Sequence, residues 1–142
     1  MGPGGTAASA RRFAKARAER GAELLEDYSE MIDDLARADG EARATDVAAA
    51  FGVAHPTALK AIARLKREGL ATSKPYRGVF LTPAGRALAR RARARHRLVV
   101  DLLVAVGVPR ATAERDAEGI EHHVSEAALR AFRRFLGARA RT

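Results

Sequence analysis

Three observations predict a mainly α-helical protein. Apolar residues recur at three- and four-residue spacing through most of the chain, as in helices with one buried face. Aromatic residues are only 5% while hydrophobic residues reach 47%, so the core is built from Ala, Leu and Val. Strand-like residues fall over 71–81, enough for one hairpin. At 142 residues the chain holds one domain, or two small ones sharing a helix.

Charge and composition narrow the function classes. A formal net charge of +9 predicts an anionic partner, such as nucleic acid or a membrane surface, against the plainer reading of a merely soluble basic protein. The chain has no cysteine, which excludes disulfides, iron–sulfur clusters and thiolate-rich zinc sites. No apolar run approaches the roughly 20 residues that span a bilayer, and the N-terminus lacks the hydrophobic centre of a secretory signal. A cytoplasmic protein without membrane attachment is expected.

Residues 1–21 are rich in Gly, Ala and Arg and carry no sustained apolar stripe, so they read as a flexible basic arm, in which helix near Arg11 to Arg20 has nothing to pack on. From Ala22 to Ala38 the residues Leu24, Leu25, Tyr28, Met31, Ile32 and Leu35 form one helical stripe that Gly40 ends. Thr45 is expected to cap a short helix through Ala50. A turn at Phe51-Gly52-Val53 follows, then a helix from Pro56 to about Glu68 in which Leu59, Ile62 and Leu65 pack inward. Two helices joined in this way form a helix-turn-helix. His55, Thr57, Lys60, Arg64, Lys66 and Arg67 are read as its outward, basic face.

The hairpin at 71–81, turning through Lys74-Pro75-Tyr76-Arg77-Gly78, makes a wing whose Lys74 and Arg77 suit phosphate. The expected DNA-contacting set is His55, Pro56, Thr57, Lys60, Arg64, Arg67, Lys74 and Arg77. Thr82-Pro83 opens a long helix to about Val106, with His96 in register with Ala89, Ala92, Val99 and Leu103. Helix is then expected over Ala111 to Val124. Ser125 caps a last helix bearing Leu129, Phe132, Phe135 and Leu136 on one face. Such short amphipathic helices need the long helix and a second subunit to cover them. The division expected is an arm over 1–21, a winged helix-turn-helix DNA-binding domain over 22–83, and a helical dimerisation and metal-binding domain over 84–142.

The stretch Asp116 to Ser125 carries the chemistry. On a helix Glu118, Glu121 and His122 stand at i, i+3 and i+4 and share one side. Asp27 and Glu30 repeat the i, i+3 spacing upstream. A solvated acidic face is the plainer reading of that pair, and a neutral core histidine the plainer reading of His96. Together, four carboxylates and two imidazoles sit at the edges of apolar stripes, where unpaired carboxylates would repel and protonate. Divalent cations relieve that repulsion, and oxygen-rich donors with one imidazole each suit manganese or ferrous iron.

Several motifs together resemble a family. They are Glu26-Asp27-Tyr28-Ser29-Glu30, Gly52-Val53-Ala54-His55-Pro56-Thr57, Pro75-Tyr76-Arg77-Gly78-Val79-Phe80-Leu81-Thr82, Arg95-His96 and Asp116-Ala117-Glu118-Gly119-Ile120-Glu121-His122-His123. From about Leu24 to Leu136 the chain resembles the manganese transport regulators, the manganese-sensing branch of the diphtheria toxin repressor family. The resemblance implies a dimeric winged-helix repressor with Asp27, Glu30, His96, Glu118, Glu121 and His122 holding one or two Mn2+ per subunit, Fe2+ being the alternative ion. Asp27 stands where iron-sensing members typically carry Met, which argues for manganese. Ala54 departs from the pattern, replacing a Ser that often caps the recognition helix.

The expected function is repression of manganese uptake genes, through a palindromic double-stranded DNA operator bound by a homodimer when Mn2+ is present. Metal would join the first helix of each DNA-binding head to the dimerisation half and so set the spacing of the recognition helices. Two other readings are a winged-helix regulator responding to ferrous iron or to no metal, and a binuclear metalloenzyme. No Ser/His/Asp nucleophile arrangement supports the last, and no small organic substrate is expected.

Overall fold

The protein, a computed structural model, is described over residues 4–140. The first three positions of the expected arm and the last two of the expected dimerisation half lie outside the described residues. The chain divides into two units, residues 1–89 and 90–142.

The first unit starts with α1, Gly4–Asp39. Its buried face is the predicted stripe: Tyr28 and Ile32 are 5% and 1% exposed, with Leu24, Leu25 and Leu35 packed around them. Gly40, at φ 81°, ends it in a left-handed turn that few other residues adopt. The arm expected over 1–21, with helix allowed near Arg11 to Arg20, is helical from Gly4 onward and continuous with this element. Ala and Arg, strong helix formers, fill most of Ala7 to Arg20, with no Pro after Pro3 to break the helix. The absence of an apolar stripe signalled a helix segment that packs on little, not a missing helix.

Next come α2, Ala44–Phe51, and α3, His55–Arg67, joined through Gly52 at φ 66°. Tyr28 of α1 stacks on Phe51 with ring centroids 4.4 Å apart. Thr45 is not the cap of α2: Arg43 holds that position, with no side-chain cap. Ala54 leads α3 with no side-chain cap either, as a residue lacking a hydroxyl must. The inward face of α3 is Ala58, Ala61, Ile62 and Leu65, all 5% exposed or less. Leu59, expected inside, is 46% exposed, because its place on the helix turns it away from the buried face and toward the wing.

The wing is β1, Ala71–Ser73, paired antiparallel with β2, Val79–Leu81, in the register Ala71 to Leu81 and Ser73 to Val79. The segment after α1 extends this pairing: Val79 N–H donates to Ala42 O at 2.7 Å. Glu41 ties the same segment to the wing turn, accepting from Gly78 N–H at 2.7 Å and from Arg77 Nε at 3.0 Å. Those two hydrogen bonds hold the Glu41 carboxyl below the usual carboxylate range.

Helix α4, Pro83–Ala105, starts as predicted at Thr82, whose Oγ1 accepts from Gly85 N–H at 3.1 Å and donates to Gly69 O at 2.7 Å. Gly85 lies against the Leu70 carbonyl, leaving no room for a Cβ. The second unit takes α4 beyond Ala89, then α5, Arg110–Ile120, a 3-10 turn at Glu121–His123, and α6, Glu126–Ala140. The helix expected through Val124 therefore stops at Ile120 and tightens. Ser125 caps α6, accepting from Ala128 N–H at 3.1 Å. Val99, Val100, Ala113, Ala117 and Leu129 form the core, with Leu103, Val108 and Phe132 packed on it. Phe135, predicted on the same face, is 44% exposed. Among the described residues no helix is long and apolar enough to cross a membrane.

The close approach at Gly85 predicts that Gly85→Ala destabilises the protein by about 1–3 kcal/mol, since backbone must move. Gly137→Ala, at an open helical position on α6, should instead stabilise by about 0.5–1 kcal/mol. Urea unfolding of the two variants beside the parent measures both, and equal effects would show the Leu70 contact to be irrelevant.

Candidate metal centre and nucleic-acid face

In the second unit α4 presents His96 to the end of α5. The ring is sandwiched between carboxylates, with Nδ1 2.5 Å from Glu121 Oε2 and Nε2 2.8 Å from Glu114 Oε2. Glu118 Oε1 is 4.0 Å from Nδ1. His96, Glu118 and Glu121 bring one donor atom each within 4.8 Å of one another. His122 lies beside them, its Nε2 3.5 Å from Glu121 Oε1.

Burial grades these groups. Glu121 is only 4% exposed, because the 3-10 turn carries it inward, while the Glu118 side chain keeps 71% of its surface in water. Burial pushes the Glu121 carboxyl up, against the opposing pull of His96. Burial alone would lower His96, but hydrogen bonds to Glu114 and Glu121 outweigh it and hold the imidazole above its usual value. Both ring nitrogens face carboxylate oxygens, and only an imidazolium can donate to both. A mixed oxygen and nitrogen donor set, one carboxylate buried and one in water, fits a divalent cation of the manganese or iron type, which competes with protons for the same atoms.

Of the six predicted ligands, the second unit brings together His96, Glu118 and Glu121, with His122 adjacent. Asp27 and Glu30 stand in the first unit on α1, both partly buried. Sequence reasoning missed Glu114. The signal was present: positions 114, 118 and 121 follow the 4, 3 spacing of one helix face.

In the first unit the flanks of α3 carry different roles. At about 100° per residue, Pro56, Lys60 and Arg67 lie opposite the buried face. These three are exposed. His55, Leu59 and Lys66 turn toward the wing and, with Ser73, Lys74, Tyr76 and Arg77, line a cleft of about 540 Å³. Thr57 and Arg64 occupy the other flank. The Arg64 guanidinium lies across Gly21 of α1, where a Cβ would come within 2.5 Å of Nη2, so it is not on the open face expected for it. Arg77 is likewise engaged, by Glu41 and by the Phe80 ring 5.5 Å away.

The wing tip carries a residue that sequence reasoning passed over. Arg77 N–H donates to Lys74 O at 3.0 Å, closing a turn with Pro75 and Tyr76 at its centre. Tyr76 has φ 62° and a fully exposed side chain. A non-glycine residue held there is uncommon, and it aims a phenol outward beside Lys74.

Comparison with known proteins agrees with both halves. Residues 22–79 match the model of the iron dependent repressor N-terminal DNA binding domain, and residues 82–142 that of the iron dependent repressor metal binding and dimerisation domain. The chain is 50% identical over 123 residues to the transcriptional regulator MntR of Escherichia coli O157:H7, covering 87% of this chain and 79% of that protein. Identity to the HTH-type transcriptional regulator MntR of Geobacillus kaustophilus (strain HTA426) is 40% over 102 residues, 71% of this chain and 72% of the other. A solved manganese-dependent transcriptional repressor in complex with manganese superposes with a TM-score of 0.68 at 29% identity, over 80% of this chain and 52% of that one. The chain belongs to the iron-dependent, diphtheria-toxin-type repressor family, in the branch of the manganese transport regulators.

Proposed function

We propose that this chain is a manganese-dependent transcriptional repressor that binds a palindromic operator as a homodimer when Mn2+ is bound and turns down manganese uptake genes. The observation that carries this reading is the buried Glu121 carboxylate with His96 and Glu118 around it, in a chain whose two halves match DNA-binding and metal-binding repressor domains. Relatives named as MntR regulators, and a solved repressor holding manganese, support Mn2+ as the effector. Fe2+ is the competing ion, and one or two ions per subunit remain compatible with the donor set.

The proposed ligands are His96, Glu118, Glu121 and His122, with Asp27 and Glu30 of α1 supplied by the family resemblance. The metal would contribute fixed positive charge that replaces the imidazolium proton. Glu114 would then hold Nε2–H and turn Nδ1 toward the ion, as carboxylates behind metal-bound imidazoles do. The DNA-binding part is read as residues 22–83, with Lys60 and Arg67 on the open face of α3 and Lys74 and Tyr76 at the wing. Metal and operator binding assist each other reciprocally, with a coupling of about 1–3 kcal/mol.

Titration of Mn2+ in the presence of a promoter duplex tests the whole reading. The parent should bind DNA more tightly as Mn2+ rises, Glu121→Gln should lose the response, and Glu114→Gln should weaken Mn2+ by about 10–100-fold. DNA binding indifferent to Mn2+ and to chelator would leave only a metal-independent winged-helix regulator.

The titration behaviour of the site makes a second expectation. Both His96 and Glu121 are raised above their ordinary values of 6.5 and 4.5, so their stabilising contribution is full below those values. It is lost as pH rises through the raised values. Thermal midpoints of metal-free protein should fall over that interval, the fall should be absent in the His96→Gln Glu121→Gln double variant, and Mn2+ should restore the parent most strongly at the high-pH end. Mn2+ affinity itself should weaken toward acid, because the ion competes with the proton on His96. A flat profile would mean that no proton is shared there.

On the DNA side, Lys60→Ala and Arg67→Ala should each weaken operator binding and lower its salt slope by about 1, with Mn2+ affinity kept. Loss of metal binding in either would mean that the open face of α3 has another role.

A further inference from the structure

The first 17 described residues of α1, Gly4 to Arg20, take no part in either hydrophobic core, yet they form a helical rod of about 25 Å. Over residues 1–20 the sequence places Arg11, Arg12, Lys15, Arg17 and Arg20 against the single carboxylate of Glu19. All five cations are exposed.

The direction of α1 says where this charge is carried. Ile32, Asp33 and Ala36 line a pocket with Val79, Phe80 and Leu81 of the wing strand. Tyr28 stacks on Phe51 at the end of α2. Gly21 lies under the Arg64 guanidinium, on the flank of α3 turned away from the wing. Following α1 backward, the helix passes from the wing, across α3, to the opposite flank, and the cationic segment continues beyond it along the same axis. The recognition helix is thus bracketed, by Lys74 and Tyr76 on one side and by the cationic rod on the other.

We propose that the segment Arg11 to Arg20 is a second phosphate-contacting arm, which lies along duplex DNA flanking the operator and adds sequence-independent affinity. This inference rests on the repressor reading above and extends it to a surface outside the helix-turn-helix and the wing. Duplex DNA is favoured over a membrane surface because the rod's apolar positions are nearly all Ala, with Phe13 the one large exception, too little apolar area for insertion among lipids. Rows of fixed cations on a helix suit a lattice of phosphates, where each neutralised phosphate releases a counterion.

The test uses the full-length chain carrying Arg11→Ala, Arg12→Ala, Lys15→Ala and Arg17→Ala together. Ala is the best helix former, so α1 should persist, which circular dichroism and an unchanged Mn2+ affinity verify. Operator binding is measured with saturating Mn2+ across a series of salt concentrations, on a duplex with long flanks and on one trimmed close to the operator. On the long duplex the slope of log affinity against log salt should fall by about 2–4, at about 0.9 per phosphate contact. The ratio of operator to random-sequence affinity should rise or stay level, and on the trimmed duplex the variant and parent should converge. The corresponding variant with Lys at all four positions should keep the parental slope.

Equal slopes for parent and alanine variant on the long duplex, with Mn2+-dependent operator binding intact in both, would overturn the arm while leaving the repressor reading in place. A parent that shows no Mn2+-dependent operator binding would remove both. Binding of the parent to anionic vesicles that the alanine variant loses, without any change in DNA slope, would replace the DNA arm by a membrane-surface helix.

Discussion

A carboxylate with 4% of its surface exposed is the constraint on which the second unit depends. Burying ionised Glu121 costs more than the fold can tolerate unless a positive partner is held against it. His96 is held against it through Nδ1, with Glu114 on the far side of the ring fixing the imidazole's orientation.

The geometry of α5 makes this possible. A regular helix through Val124 would place Glu118 and Glu121, three residues apart, on one face. The 3-10 turn at Glu121–His123 tightens the backbone after Ile120, so that Glu121 is carried inward with His122 beside it while Glu118 stays in water. One buried and one hydrated carboxylate form an asymmetric pair, a fixed donor and an adaptable one. Such a site can accept an ion without first breaking an equally strong internal contact on both sides.

The first unit follows a different logic, in which small residues allow backbone to approach backbone. Gly78 against Ala42 and Gly85 against Leu70 bring the wing down on the segment after α1 and on the start of α4. Glu41 closes the arrangement through the Gly78 amide and the Arg77 guanidinium. With the wing pinned in this way, Lys74 and Tyr76 are presented from a supported turn, at a defined distance from the exposed Lys60 and Arg67 of α3.

The sequence by itself determined the order of helices, the hairpin, the Gly52 turn, and the Thr82 and Ser125 caps. Those features depend on periodicity, on φ values that glycine alone takes easily, and on hydroxyls placed next to helix starts, all of which are local. Tertiary structure decided the rest. Leu59 faces outward and Arg64 lies on Gly21, because the crossing of α1 and α3 selects which of several similar positions is covered. Arg77 is held by Glu41 from 36 residues away, and Glu114 meets His96 from 18 residues away. The extent of helix ahead of Ala22 was not legible for the complementary reason: an apolar stripe reports packing, and a helix of Ala and Arg forms without it. Charge balance around Glu121 is the clearest case, since the pattern announces a carboxylate but only the packed fold shows that it is buried and what neutralises it.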